Sequence, residues 1–138
     1  MTRAPTDLEI LNAIYERYYA TFASFSADES ARSSKVYVPI DIAQLAKDMS
    51  VDEDIVFGRL YYHLDKKYGY KNDDGSYVHL FALVVGGDRH CVNFPYVASV
   101  LASLREENRK YRLATTLAIV SLFISVVAFL LSVLGKKN

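Results

Sequence analysis

The chain has 138 residues, 16 basic and 16 acidic side chains and a single cysteine, which excludes an intramolecular disulfide and fits a reducing compartment. The charge is unevenly spread: residues 1–104 hold ten Lys/Arg against fourteen Asp/Glu, a net charge of −4, whereas residues 105–138 hold six against two, a net charge of +4. An acidic N-terminal part is a poor partner for nucleic acid, and a basic segment beside an apolar helix suits anionic lipid headgroups.

The N-terminal end predicts an amphipathic helix. Thr6 and Glu9 have the spacing of a capping box, in which each residue satisfies a backbone amide of the other. The residues that follow at helical spacing are Leu8, Leu11, Ile14, Tyr15, Tyr18, Phe22 and Phe25. The first 25 residues hold charges and no uncharged apolar run, so we expect no N-terminal signal peptide. Residues 26–35 are polar and rich in serine, which predicts a loop.

A short strand and a short helix are predicted next. Residues 36–38 are β-prone, and Pro39 ends this run. Asp41 with Gln44 has a capping signature and predicts a helix to about residue 48.

A turn at residues 49–51 leads to a third predicted helix. Asp52 is its predicted cap, and it extends to about Tyr68, with Gly69 in the usual glycine position after a helix. Its predicted inward residues are Ile55, Val56, Leu60 and Leu64.

A β-hairpin is predicted after this helix. Residues 77–85 are β-branched and aromatic, residues 86–89 form a Gly-Gly turn, and residues 90–94 return. Neighbouring residues of a strand point to opposite faces, so His90 and Cys91 are not expected to share a site.

The C-terminal part predicts one transmembrane helix. Residues 113–134 carry no charge, and 22 residues at about 1.5 Å each span about 33 Å, close to the ~30 Å hydrocarbon core. The alternative is a buried helix of a soluble protein, but a domain of this size could not cover a run that is apolar on every side. Basic residues flank the run at Arg105, Arg109, Lys110 and Arg112 before it and Lys136 and Lys137 after it. The four basic residues before the run, against two after it, predict that the N-terminal domain lies in the cytoplasm. With only a few polar residues after the helix, the sequence predicts a single-pass, tail-anchored membrane protein.

Small residues form a heptad stripe along this helix: Ala114, Ala118, Ser121, Ser125, Ala128 and Ser132. Small side chains let helices approach closely in lipid, so the stripe predicts a homodimer. The same rhythm extends back through Tyr111, Glu107, Leu104, Val100 and Val97, so the seam could start in a helix beginning near Pro95. The alternative is that Val97, Val100, Leu101 and Leu104 pack on the soluble domain.

The order of elements, and the segment VYVPIDIAQLAKDMSVDEDIVFGRLYYHLDKKYGY at residues 36–70, resemble the winged-helix variant of the helix-turn-helix. The resemblance implies an α+β, winged-helix-like domain at residues 1–94 with a small β-hairpin wing at residues 77–94. A basic helical stalk at 95–112, the transmembrane helix at 113–134 and a short polar tail at 135–138 would follow.

DNA-binding members of the superfamily place the third helix in the major groove. Here that helix begins with Asp52, Glu53 and Asp54, which would repel phosphate, so the acidic domain disfavours DNA. The candidate DNA contacts on this alternative are Lys47, Arg59, Lys66, Lys67 and Arg89. Exposed aromatic residues are typical anchors of protein interfaces, and the candidates here are Phe57, Tyr61 and Tyr62. Alternatively, Phe57 or Tyr61 packs under the wing or against the first helix.

No motif indicates catalysis, a metal site or a cofactor. His63, His79 and His90 are scattered, and residues 73–75 (Asp-Asp-Gly) predict a turn rather than a calcium loop. We therefore expect a non-enzymatic protein-interaction module held to a membrane, acting as a dimer with an unidentified protein partner. The alternatives are a membrane-tethered DNA-binding transcriptional regulator and a small subunit of a larger membrane complex.

Overall fold

The computed structural model describes residues 3–26 and 31–136. Residues 27–30 of the predicted loop, Lys137 and the last tail residue lie outside the described part. The chain divides into two units, Met1–Ala102 and Ser103–Asn138. The first unit mixes helices with small antiparallel sheets, and the second is a single helix.

The helices and strands of the described residues have the following bounds. The helical elements are α1 (Asp7–Ala23) with a 3₁₀ turn (Ser24–Ser26), α2 (Ile42–Asp48), α3 (Glu53–Gly58), a π-helical segment (Arg59–Leu64), α4 (Asp65–Tyr68) and α5 (Phe94–Gly135). The strands are β1 (Tyr37–Pro39), β2 (Tyr70–Lys71), β3 (Tyr77–Val78), β4 (Phe81–Val85) and β5 (Asp88–Asn93).

The predicted helix caps are confirmed. The Thr6 hydroxyl accepts from the amide of Glu9 at 3.2 Å, and the Thr6 amide donates to the Glu9 carboxylate at 2.8 Å. This backbone hydrogen bond, followed by that from the Arg3 side chain, lowers the pKa of Glu9 to about 2.

The next two helices are also capped as predicted. Asp41 accepts from the amide of Gln44 at 2.9 Å, and Asp52 caps α3 through the amide of Asp54 at 2.9 Å. Local side-chain chemistry therefore sets where these helices begin.

The predicted third helix is α3, the π-helical segment and α4 in direct succession. Val56, Leu60 and Leu64 are buried as predicted, but Ile55 is 45% exposed, so its inward placement is wrong. Consecutive helical residues point about 100° apart, and the narrow buried face reaches Val56 but not its neighbour.

Gly69 follows this helix for a different reason from the one predicted. Its φ is −59°, so it does not take the left-handed conformation of a usual C′ glycine. A Cβ at this position would lie 2.5 Å from the Asp65 carbonyl oxygen and 2.6 Å from the Tyr77 hydroxyl. Glycine is needed because β3 approaches the helix end closely.

The main sheet has the strand order β1-β5-β4, with both pairs antiparallel. Val92 of β5 lies between Val38 of β1 and Phe81 of β4. The hairpin turn is Gly86-Gly87 alone, with φ +59° at Gly86, since Val85 pairs with Asp88. The prediction that Asp88 and Arg89 belong to the turn is therefore wrong; both lie in β5.

The predicted strand over residues 77–85 is divided in two. Tyr77–Val78 pairs with Tyr70–Lys71 in a separate two-stranded sheet, and Phe81–Val85 joins the main sheet. The Asp65 carboxylate lies at the break, where it accepts from the amides of Leu80 at 2.8 Å and Phe81 at 3.1 Å. A side chain from α4 thus takes the backbone donors that a continuous strand would use.

The described end of the serine-rich loop is docked on the domain. Arg32 is 8% exposed, and its guanidinium donates to the carbonyls of Thr21 and Phe22, in the last turn of α1, at 2.8 and 3.2 Å. Ser33 donates its amide to Asp88 at 2.6 Å, and its hydroxyl accepts from the Gly87 amide at 3.1 Å. A cation at a helix C-terminus complements the helix dipole, so this arginine is a structural cap.

The first turns of α5 belong to the domain core. Phe94, Val97, Val100 and Leu101 are buried, and the Phe94 ring stacks on Phe22 at 4.8 Å. The idea of a dimer seam reaching back to Val97 and Val100 is therefore wrong, and the alternative packing on the soluble domain is confirmed for these residues. Their apolar surface is already used inside the protein.

From Arg105 to its end at Gly135, every residue of α5 except the half-buried Asn108 is exposed. α5 is the helix of the described chain that is long and apolar enough to cross a membrane. Within it, the Ser125 hydroxyl donates to the Ser121 carbonyl at 2.8 Å, so that polar group is satisfied without a partner helix.

Candidate interaction surface

The three predicted interface aromatics lie together on the third helix. The rings of Phe57 and Tyr61 stack at 5.5 Å, and Tyr62 meets Tyr61 edge-on at 5.0 Å. Tyr62 is 70% exposed and Tyr61 39%, whereas Phe57 is half-buried and meets Phe81 of β4 edge-on at 6.1 Å. Phe57 therefore packs under the hairpin, as the alternative had it, and the two tyrosines form surface.

The π-helical segment Arg59–Leu64 accounts for the adjacent exposed tyrosines. A π turn holds more residues than an α turn, so it shifts the side chains after it relative to a uniform helix. Leu60 and Leu64 remain in the core while Tyr61 and Tyr62 both face outward. Such turns are often found at functional sites.

A groove lies between this helical segment and the strands β3 and β4. It has two adjoining cavities of about 260 Å³ and 400 Å³, which share Tyr61, Asp65 and His79. We call it the aromatic groove; its lining residues are Tyr61, Tyr62, Asp65, Lys66, Tyr77, His79, Phe81, Ala82, Leu83 and Val84.

Asp65 and His79 form the polar part of the aromatic groove. Asp65 is 9% exposed, and its second carboxylate oxygen lies 2.9 Å from Nδ1 of His79. The His79 ring rests against Tyr77 at 4.4 Å. A buried carboxylate bound to Nδ1 orients the imidazole and leaves Nε2 for an outside partner.

Strand β4 borders the groove and is an edge strand. It pairs with β5 on one side, and no other described strand pairs with it. Leu83 and Val84 on this strand are 40% and 59% exposed. An edge strand with exposed apolar side chains is a template for pairing with another extended segment.

Two of the five candidate DNA contacts are directed at an acidic residue of the domain itself. Arg59 and Lys67 pair with Asp7 at the start of α1, and His63 Nε2 lies 3.2 Å from the same carboxylate. Burial raises the pKa of Asp7, but hydrogen bonds from His63 and Lys67 and the charge of Arg59 outweigh it and hold the pKa below its usual value. The cluster joins α1 to the third helix.

The other three candidates are dispersed. Lys47 and Arg89 are exposed on α2 and β5, and Lys66 lines the aromatic groove. Asp52, Glu53 and Asp54 are all exposed at the start of α3. The positive charge is thus interrupted by carboxylates where a DNA-reading helix would meet phosphate.

The remaining predicted residues that the structure describes lie on α5, apart from Lys136, which follows its end at Gly135. The small residues of the stripe and the basic residues Arg105, Arg109, Lys110, Arg112 and Lys136 are exposed. Lys110 pairs with Glu106 at 2.9 Å.

Among the described residues, no three His, Cys, Asp or Glu side chains lie together as potential metal ligands. Cys91 is buried, and burial raises the pKa of its thiol. His90 takes φ +53° beside it, with its ring 5.9 Å from that of Phe57.

Sequence reasoning missed most of the aromatic groove. It assigned Tyr61 and Tyr62 to an interface but gave no such role to Tyr77, His79 or Asp65. The one available signal was Asp65 itself, an acidic residue directly after the apolar position Leu64 in a helix. Comparison with protein-family models, curated proteins and solved structures finds no match to the chain.

Proposed function

We propose that this chain is a single-pass membrane protein whose N-terminal domain acts in the cytoplasm as a non-enzymatic protein-interaction module. The tether is supported by the exposed apolar length of α5, which a lipid environment would cover. The orientation is supported by the basic residues that precede the apolar run, against fewer after it.

We also assign the domain to the winged-helix class. β1 lies between α1 and α2, the hairpin β4–β5 follows the third helix, and β1 pairs with the second hairpin strand. This order matches the resemblance found in the sequence. In this assignment the β4–β5 hairpin is the wing, and the aromatic groove lies between the wing and the third helix.

The observation that carries the interaction role is the aromatic groove beside the β4 edge. Its partner would be a protein segment in extended conformation, which adds a strand to β4 and places side chains against Tyr61 and Tyr62. The backbone of β4 would supply affinity, and the aromatic cavities would supply specificity.

A non-enzymatic role agrees with the composition of the groove. The pair of Asp65 and His79 could hold an imidazole for proton transfer. None of the described residues lining the groove is a serine, threonine or cysteine that this imidazole could activate. Recognition of a hydrogen-bonding partner group is the simpler use of His79.

The test is site-specific photo-crosslinking of the full-length protein in the membranes of the cell that makes it. A photoreactive residue at Tyr62 should give one discrete adduct with another protein. The same residue at Tyr19, a 52% exposed tyrosine on α1, is the matched control. Val84→Glu should abolish the Tyr62 adduct, because a charge on an edge strand blocks strand addition.

An adduct that survives Val84→Glu, or that forms equally at Tyr19, contradicts the groove as the binding surface. Binding of residues 1–104 to duplex DNA, with an affinity that falls steeply with salt, would instead favour the transcriptional regulator.

A further inference from the structure

The segment of α5 directly before the apolar run has one face made of arginine. At about 100° per residue, Arg105, Arg109 and Arg112 fall within a sector of about 60°. All three are exposed. The guanidinium group is planar and donates two parallel hydrogen bonds to a phosphate, which makes arginine the preferred side chain for phosphate recognition.

The acidic residues of this segment lie elsewhere around the helix. Glu106 is about 90° from the middle of the arginine sector and pairs with Lys110 at 2.9 Å, and Glu107 is on the far side. Among the described residues, neither Arg109 nor Arg112 makes an ion pair. The positive charges of Arg109 and Arg112 are therefore not neutralised by an ion pair within the described residues.

The position of this face along the axis matches the headgroup layer. With about 1.5 Å rise per residue, Arg109 and Arg105 lie about 6 Å and 12 Å before Leu113, the first residue of the apolar run. The polar layer on each side of a bilayer is about 5–8 Å thick. Arg112 and Arg109 would lie inside that layer, and the backbone of Arg105 about 4 Å or more beyond it.

From this geometry we propose that Arg105, Arg109 and Arg112 form a binding face for the phosphate groups of anionic phospholipids. The proposal rests on the membrane span proposed above. It makes the protein selective for anionic lipid in the leaflet next to its N-terminal domain. Arg112 and Arg109 contribute most, and Arg105 least.

The arginine face lies opposite the small-residue stripe. The residues from Ala114 to Ser132 in that stripe fall within about 50° of the direction opposite the centre of Arg105, Arg109 and Arg112. In a dimer joined along the stripe, the arginines of both copies would therefore point away from the seam toward lipid. Lipid selectivity and self-association use different sides of one helix and can be measured separately.

The test compares lipids at the surface of the full-length protein reconstituted in phosphatidylcholine membranes. Spin-labelled phosphatidylserine and phosphatidylcholine are added in turn, and the motionally restricted fraction of each gives their relative association. We expect about threefold or greater preference for phosphatidylserine, and a ratio near one for R109Q/R112Q. E106Q/K110Q is the matched control, with two changes in the same turns and no change in net charge, and should keep the preference.

Equal association of both lipids with the unaltered protein would overturn the proposal, as would an R109Q/R112Q variant that keeps the preference. Alkaline carbonate extraction of the same membranes separates this from the tether itself. Loss of the unaltered protein from the membrane would overturn the span and the arginine face together, whereas retention without lipid preference overturns the arginine face alone.

Discussion

The two ends of α5 have similar composition and opposite surroundings. Near the start of the helix, Phe94 and Leu101 are each 1% exposed, and the Phe94 ring stacks on Tyr15 and Phe22 of α1. Further along, Phe123 is 69% exposed and Leu131 is 65% exposed. One continuous helix thus passes from an apolar environment made by the protein into a stretch that the described chain leaves uncovered.

The difference shows that the apolar character of a residue does not by itself predict whether the residue is buried within the protein. Val97 and Val100 fit the same heptad rhythm as Ser121 and Ser125. The valines are nevertheless buried in the domain core, whereas the serines are exposed. The same heptad spacing therefore accompanies buried residues at one end of the helix and exposed residues at the other. What separates the two regions is the amount of domain available to pack against them.

The largest expected effect comes from breaking the apolar end. The double substitution Ile124→Arg/Val127→Arg places two charges at the middle of the run, at a cost of about 5–7 kcal/mol for membrane insertion. We expect the protein to move from the carbonate-resistant membrane fraction to the soluble fraction. Ile124→Leu/Val127→Leu is the control and should remain in the membrane. Retention of the arginine variant would contradict a membrane span.

The next effect compares two phenylalanines of the same helix. Phe94→Ala removes a ring that stacks on Tyr15 and Phe22, and should lower the free energy of unfolding of the domain by about 3–5 kcal/mol. Phe123→Ala should leave that free energy unchanged, since Phe123 is 69% exposed and belongs to the second unit of the chain. Denaturant unfolding of both variants in detergent, followed by tyrosine fluorescence, measures the difference. Equal destabilisation would refute the division of α5.

A smaller effect concerns charge inside the first unit. Asp7→Asn removes the counter-charge of Arg59 and Lys67 and should cost about 2 kcal/mol; Glu16→Gln, at an exposed position of α1, is the control. The folded-state pKa of Asp7 lies below its usual value, so this stabilisation is complete above about pH 4, the ordinary pKa of aspartate, and is lost as the pH falls through the folded pKa. Unfolding of residues 1–104 at descending pH should show the loss, and the Asn variant should lack that part of the pH dependence.

The smallest effect tests the exposed end for a helix partner. Ser121→Leu/Ser125→Leu enlarges two positions of the small-residue stripe and should weaken self-association by about 1 kcal/mol. Leu122→Ala/Leu131→Ala changes residues off the stripe and should have no such effect. A membrane reporter of helix association measures both effects. An unchanged signal for the Ser121→Leu/Ser125→Leu variant would contradict the predicted homodimer.

The local elements were predictable because nearby residues determine them. Thr6, Asp41 and Asp52 cap their helices through amides two or three positions away, and Gly86-Gly87 turns the chain within one hairpin. The same reasoning failed for the strand over residues 77–85, because the carboxylate that divides it, Asp65, is distant in sequence.

The aromatic groove was also only partly predictable, because residues distant in sequence form it. Tyr61 and Tyr62 were visible as aromatic residues on a helix, but the groove exists only where β3 and β4 lie beside them. Arg59 and Lys67 were candidates for phosphate until the fold placed Asp7 against them. The sequence does not show which residue pairs with a given charged side chain, and that pairing determines whether the side chain is available to bind a ligand.

By itself, the sequence determined where the capped helices begin, the position of the two-glycine turn and the uncharged length of residues 113–134. The caps and the turn depend on neighbouring residues, and the uncharged length depends on transfer from water to an apolar phase. Only the tertiary structure decided that Val97 and Leu101 are core, that Asp65 divides a strand, and that Tyr61 faces a groove beside an edge strand. These features depend on contacts between residues far apart in the chain, which no local pattern records.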